Sequence, residues 1–167
     1  MIELEIVGVR VEMPSNQPLV LLKEVAGVRH LPIWIGTAEA TAIALAQQGV
    51  VPPRPLTHDL LCNIVAALGR AVVRVNITAV EDGVFYAQVV FDDGTVVGSR
   101  ASDALAIAQR VDCGIFCAVE VMEEAGVQVN DHDEDEPEAI DTPEAEEREL
   151  RRFREFLNDV EPEDFDK

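Results

Sequence analysis

The chain has 167 residues, 48% apolar and only 5% aromatic, with 32 acids against 13 bases and a formal net charge of −19. That composition suits one globular domain with an extension, its core resting on Val, Ile, Leu and Ala, and no apolar run reaches the roughly 18–20 residues that cross a bilayer. It excludes a phosphate-backbone binder working by bulk charge, because such proteins cluster Lys and Arg.

Acid and apolar residues alternate from Met1 to Glu5, without the basic and apolar regions of a secretory leader. Cys62, Cys113 and Cys117 are odd in number and lack metal-site spacing, so free thiols in a reducing cytoplasm are expected. The charge is uneven. Residues 1–129 hold 15 acids and 8 bases (−7), whereas residues 130–167 hold 17 acids and 5 bases (−12).

In chain order, Ile2–Met13 alternates as a half-buried strand, and Pro14–Pro18 breaks it. Leu19–Val25 and Val28–Ile35 read as strands two and three. Ala38–Gln48 is an Ala-rich helix stopped by Gly49. After the Pro52-Pro53-Arg54-Pro55 connector, Thr57 caps a second helix, with Leu60, Leu61, Ile64, Val65 and Leu68 on its buried side and Gly69 at its end. Ala71–Val80, Val84–Phe91 and Thr95–Gly98 are further strands. Asp82-Gly83 and Asp93-Gly94 suit type I′ turns, which need positive φ at both central residues. Ser102–Val111 is a helix and Gly114–Glu120 a last strand, with Glu120, Glu123 and Glu124 on a solvated rim. Trp34 reads as packing, and alternation places Tyr86 in the core, with base stacking as its alternative. His30 and His132 stand without companions.

At an offset of 64, Glu39–Ala44 lies over Asp103–Ala108, each stretch following a hairpin and a short strand. The fold class that follows is α+β: a mixed, largely antiparallel sheet covered by helices, built from a duplicated strand-hairpin-helix unit. The expected organisation is a domain over 1–129, an acidic linker over 130–141, and an amphipathic helix and tail over 142–167. In that helix Leu150, Phe153, Leu157 and Val160 form one apolar stripe. It would dock on its own domain, on another copy or on a protein partner.

Four segments in order resemble the bifunctional nuclease family: Leu31–Gly36 followed by Glu39-Ala40, Arg54–Leu60, Gly83–Ala87, and Ser102–Ala108. The resemblance spans about residues 1–125. It departs at Ala101, where the family more often has Pro, and the Phe153–Phe165 stretch is at most a divergent form of the UvrB/UvrC-like motif that ends many relatives. The resemblance implies cleavage of DNA and RNA, a compact α+β domain and self-association.

A metal-dependent nuclease needs carboxylates for a hard cation, Mg²⁺ or Mn²⁺, and a group that activates water. His58 is the candidate base, Asp59 and Asp103 are candidate catalytic residues and metal ligands, and Arg100, Thr57 and Ser102 are candidate substrate contacts. Each has a plainer reading. An acid in a first helical turn, whether Asp59, Asp103 or Glu39, also offsets the helix dipole, and His58 could bond to a loop carbonyl. Two functions follow: a nuclease of low sequence specificity, or a non-catalytic, self-associating interaction module using its acidic tail and C-terminal helix.

Overall fold

The computed structural model describes residues 1–128. The expected linker and C-terminal helix lie outside these residues. The elements run β1 (Ile2–Glu12), β2 (Gln17–Glu24), β3 (Arg29–Trp34), α1 (Thr37–Gln47), α2 (Thr57–Ala67), β4 (Val72–Glu81), β5 (Val84–Phe91), β6 (Val96–Arg100), α3 (Ala101–Val111), β7 (Gly114–Cys117), α4 (Val119–Ala125) and β8 (Val127–Gln128). They build an α+β fold around one eight-stranded sheet of order β6-β5-β4-β7-β1-β2-β3-β8.

Each half is a three-stranded antiparallel meander followed by a helix: β1-β2-β3-α1 and β4-β5-β6-α3. After α3 crosses the sheet, β7 enters between the meanders, parallel to β4 and antiparallel to β1. A parallel pair requires such a crossover, and this one turns two small sheets into one. Register follows local chemistry. Asp82 (φ 49°) and Gly83 (φ 79°) both adopt positive φ, as the expected type I′ hairpin demands. Asp93 does not; its carboxylate accepts from the Thr95 N–H at 2.9 Å, and only Gly94 is left-handed. That turn therefore departs from the expected type.

The core centres on α3, where Leu105 and Ile107 pack with Ile43, Leu22, Leu31, Val75 and Ile77. Four alanines on α3, Ala101, Ala104, Ala106 and Ala108, are buried and let the helix lie close to its neighbours. Burying one Leu or Ile side chain contributes about 1.5–3 kcal/mol, so this helix organises the domain. A register break in β1 between Ile6 and Gly8 coincides with a bond from α1, in which Gln47 Nε2 donates to the Val7 carbonyl at 3.0 Å.

Two expectations need correction. The apolar side of α2 is not buried: Leu60, Leu61, Ile64 and Leu68 are 52%, 39%, 51% and 74% exposed. Amphipathic spacing shows that a face is apolar, not what covers it. The last expected strand stops at Cys117. Residues 119–125 coil into α4, burying Val121 and Met122 and leaving Glu120, Glu123 and Glu124 outside. Val119-Glu120-Val121 alternates like a strand, and a one-turn pattern cannot separate the two periods.

Candidate active site

The proline-rich connector delivers the chain to α2 with Leu56, not Thr57, as its N-cap; Thr57 is the first helical residue and its side chain makes no cap bond. The cap comes from Asp59, whose Oδ2 accepts from the Leu56 N–H at 2.8 Å. Its other oxygen, Oδ1, accepts from Arg110 Nε at 2.6 Å. The Arg110 side chain is only 10% exposed, and it also donates to the Ala106 carbonyl at 2.9 Å and the Ala42 carbonyl at 3.2 Å. One guanidinium thus joins α1, α2 and α3. The Arg110 bond, then the Leu56 N–H, hold the Asp59 carboxyl below its ordinary range.

His58, one residue earlier, turns to a different partner. Its Nε2 lies 3.1 Å from Asp103 Oδ1. Arg100 closes the cluster: Nε donates to Asp103 Oδ2 at 2.7 Å, and Nη2 donates to Asp103 Oδ1 at 2.9 Å and to Glu39 Oε1 at 2.8 Å. Burial pushes the Asp103 carboxyl up, but the bonds from Arg100 and His58 outweigh it and hold it low. Glu39 is lowered by its own backbone N–H and then by Arg100. Asp103, then Glu39, raise Arg100. The two acids occupy the third positions of α3 and α1, the places that the 64-residue offset pairs. Gly36 pairs with Arg100 by the same offset, and a Cβ there would collide with Glu39 Oε2.

Glu39, Thr57, His58, Arg100 and Asp103 line an open cleft of about 690 Å³. In the tautomer that carries the proton on Nε2, facing Asp103, the His58 Nδ1 lone pair can accept a proton. Both Asp103 and Asp59 are in first helical turns, as the dipole reading requires, yet their side chains do different work. The structure joins His58, Asp103, Arg100 and Glu39, and draws Asp59 onto Arg110. Arg110 was not singled out from sequence; a base in the last turn of a helix reads as dipole compensation. The available signal was that Arg110 is the one cation of a helix with a largely apolar middle. Trp34 and Tyr86, expected in the interior, are 47% and 46% exposed. Ser102 is buried and lines a neighbouring cleft.

The family model of the Bifunctional nuclease domain matches residues 20–130. The chain belongs to this family. It is also 48% identical over 163 residues to two proteins of Mycobacterium tuberculosis, from strains CDC 1551/Oshkosh and H37Rv, covering 98% of this chain and 97% of each; both are named uncharacterized proteins. No described helix is long and apolar enough to cross a membrane.

The divalent cation expected for chemistry at a phosphate would have to compete with the partners that its candidate ligands already have. Both oxygens of Asp59 are engaged by Arg110 and Leu56, and both oxygens of Asp103 by Arg100 and His58. Among the described residues no three His, Cys, Asp or Glu side chains are grouped to hold a metal. Nor do the thiols offer a nucleophile: burial raises Cys62 and Cys113, and pushes Cys117 up to about 11.

Asp59→Ala should cost about 2–3 kcal/mol, less than the ~3–5 kcal/mol of breaking a fully buried pair because a quarter of the Asp59 side chain meets solvent. Hydrogen exchange should then rise across residues 57–67 while α3 stays protected; unchanged protection of α2 would show that Asp59 does not hold it. Asp59, Asp103 and Glu39 all have lowered pKa values, so their stabilisation is present above the ordinary carboxylate range and is lost as pH falls through the folded values. Denaturation midpoints should be flat from neutrality to about pH 4.5 and fall below about pH 4, with a shallower fall in Asp59→Ala.

Proposed function

We propose that this chain is a nuclease that hydrolyses phosphodiester bonds in DNA and RNA with low sequence specificity. The observation that carries the reading is the His58–Asp103 pair beside Arg100 in one open cleft, in a chain of the bifunctional nuclease family. Asp103 accepts from Nε2–H and so leaves Nδ1 as the base. Arg100, held on one edge by two carboxylates, keeps Nη1 without a protein partner among the described residues, and that edge meets a phosphate oxygen.

In this reading water adds to phosphorus while its proton passes to His58 Nδ1. The bond from phosphorus to the leaving sugar oxygen breaks, and that oxygen takes a proton from solvent. Water as the nucleophile accounts for action on both DNA and RNA, because no 2′-hydroxyl is required. Arg100, Asp103 and Glu39 sum to −1 with neutral His58, and protonation of His58 brings the cluster to zero. Binding must then rest on short-range contacts and should weaken with salt. No step is routed through a cation, for the donor geometry given above.

The test is cleavage of labelled single-stranded RNA and DNA by wild type and by His58→Gln, each with Mg²⁺, with Mn²⁺ and with chelator, folding being checked by circular dichroism. Gln keeps an N–H for Asp103 but no proton acceptor of the right basicity. Loss of about 10²–10⁴-fold in rate is expected, and cleavage should survive chelation. Equal rates in the two proteins would overturn the assignment. Dependence on added metal would show that a cation arrives with the substrate.

The exposed face of α2 favours self-association as well; the acidic tail and C-terminal helix of the interaction-module alternative lie outside the described residues. From Leu60 to Gly69 the chain carries no charged residue, so two copies can face each other there without repulsion, despite the acidity of the rest. Leu60, Ile64 and Leu68, with Val50 and Val51 nearby in sequence, supply the apolar area. Sedimentation should give a multimer for wild type and a monomer for Leu60→Asp/Leu68→Asp. The same mass for both would remove α2 as the contact.

A further inference from the structure

Arg100 faces two clefts. One holds His58 and Asp103; the other, about 350 Å³, is lined by Trp34, Gly36, Gly83 and Phe85. Arg100 therefore borders both the proton-transfer pair and a cleft with an aromatic wall. Trp34 lies at the end of β3, half exposed, and its ring N–H donates to Glu12 Oε2 at 3.0 Å. Its one polar atom is satisfied and its plane is tethered, so the ring is an ordered apolar surface. Gly36 and Gly83 put no side chain into the space; nothing lies within 4 Å of where a Cβ at Gly83 would stand. The volume falls at the lower end of the range of roughly 300–1,000 Å³ for small-molecule clefts.

A cation for phosphate next to an aromatic face for a base is the arrangement that grips single-stranded nucleic acid. We infer that Trp34 is the base-stacking platform of the site: with a phosphodiester on Arg100, the neighbouring nucleobase lies against the indole in the cleft walled by Phe85, Gly36 and Gly83. This rests on the nuclease reading and adds its substrate form. In a duplex both faces of each base are already stacked, so the platform selects single strands or unpaired ends. Stacking is indifferent to base identity, which accords with low sequence preference.

Trp34 is the only tryptophan in the chain, so its emission reports this cleft alone. The experiment titrates the full-length His58→Gln protein, at low salt and with chelator, with a fluorescein-labelled thymidine 12-mer, its duplex and an abasic 12-mer, following anisotropy. Parallel unlabelled titrations follow tryptophan emission. Saturable quenching by the single strand is expected at the concentration where anisotropy rises, with little quenching by the abasic strand and weaker binding of the duplex. In Trp34→Leu the single-strand affinity should fall about tenfold or more, while Trp34→Phe, which keeps an aromatic face, should retain most of it.

Binding by anisotropy with unchanged emission, or equal affinities with and without Trp34→Leu in the His58→Gln background, would overturn the platform and leave the nuclease reading standing. If neither binding nor cleavage is seen with any strand, both fall together. Emission that changes with protein concentration alone would assign Trp34 to a contact between copies and overturn the proposal.

Discussion

The position of α2 depends on one buried guanidinium. Helix α2 buries no residue completely, and its half-buried Cys62 and Val65 give it only a narrow hold on the core. Arg110 supplies what apolar contact does not. It satisfies acceptors on three helices, and its pairing with Asp59 removes the cost of leaving a charge unpaired in a site 90% shielded from water. A hydrophobic contact would resist separation but would not fix rotation about the helix axis. Directional bonds to Asp59 fix both, and the next residue back, His58, is thereby aimed at Asp103. Asp59 thus acts on the cluster through position, by orienting its neighbour.

The two meander-helix halves explain how a cluster of like charges comes to lie at one point. Helices α1 and α3 begin in equivalent places, each with an acid at its third position, and the fold brings those helices together. Two carboxylates there would repel. Arg100 lies between them and bonds to both, while its counterpart Gly36 leaves room for Glu39 to fold down over the backbone. The difference between the halves at this single pair of positions turns a repeated helix start into an asymmetric site. Arg100 favours the ionised form of both carboxylates, and they in turn hold its side chain in place.

An acidic protein that handles an anionic polymer must confine attraction to a small region. At physiological salt the screening length is about 8 Å, so the net charge of distant residues matters less at the cleft than the cluster of Arg100, His58, Asp103 and Glu39 does. Aromatic surface around Arg100 adds an attraction that salt does not screen. The sparse aromatics of this chain are therefore better judged by location than by number.

Much of the architecture was legible in the residues. Alternation marked the meanders, Asp82-Gly83 dictated its hairpin, glycines 49 and 69 ended their helices, and the offset of 64 paired the two helix starts that meet at the site. The segments shared with the bifunctional nuclease family named the fold, and polar residues at the helix starts, His58, Asp59 and Asp103 with Arg100 beside them, were the candidates for the site. Sequence pattern is local, however, and says only that a side chain is apolar or charged, not what stands opposite it. The open face of α2, the exposure of Trp34 and Tyr86, and the capture of Asp59 by Arg110 across 51 positions each depend on which elements the sheet order brings together. That order is set when β7 enters between the meanders, a contact whose energy belongs to both halves of the chain and to no segment of it alone.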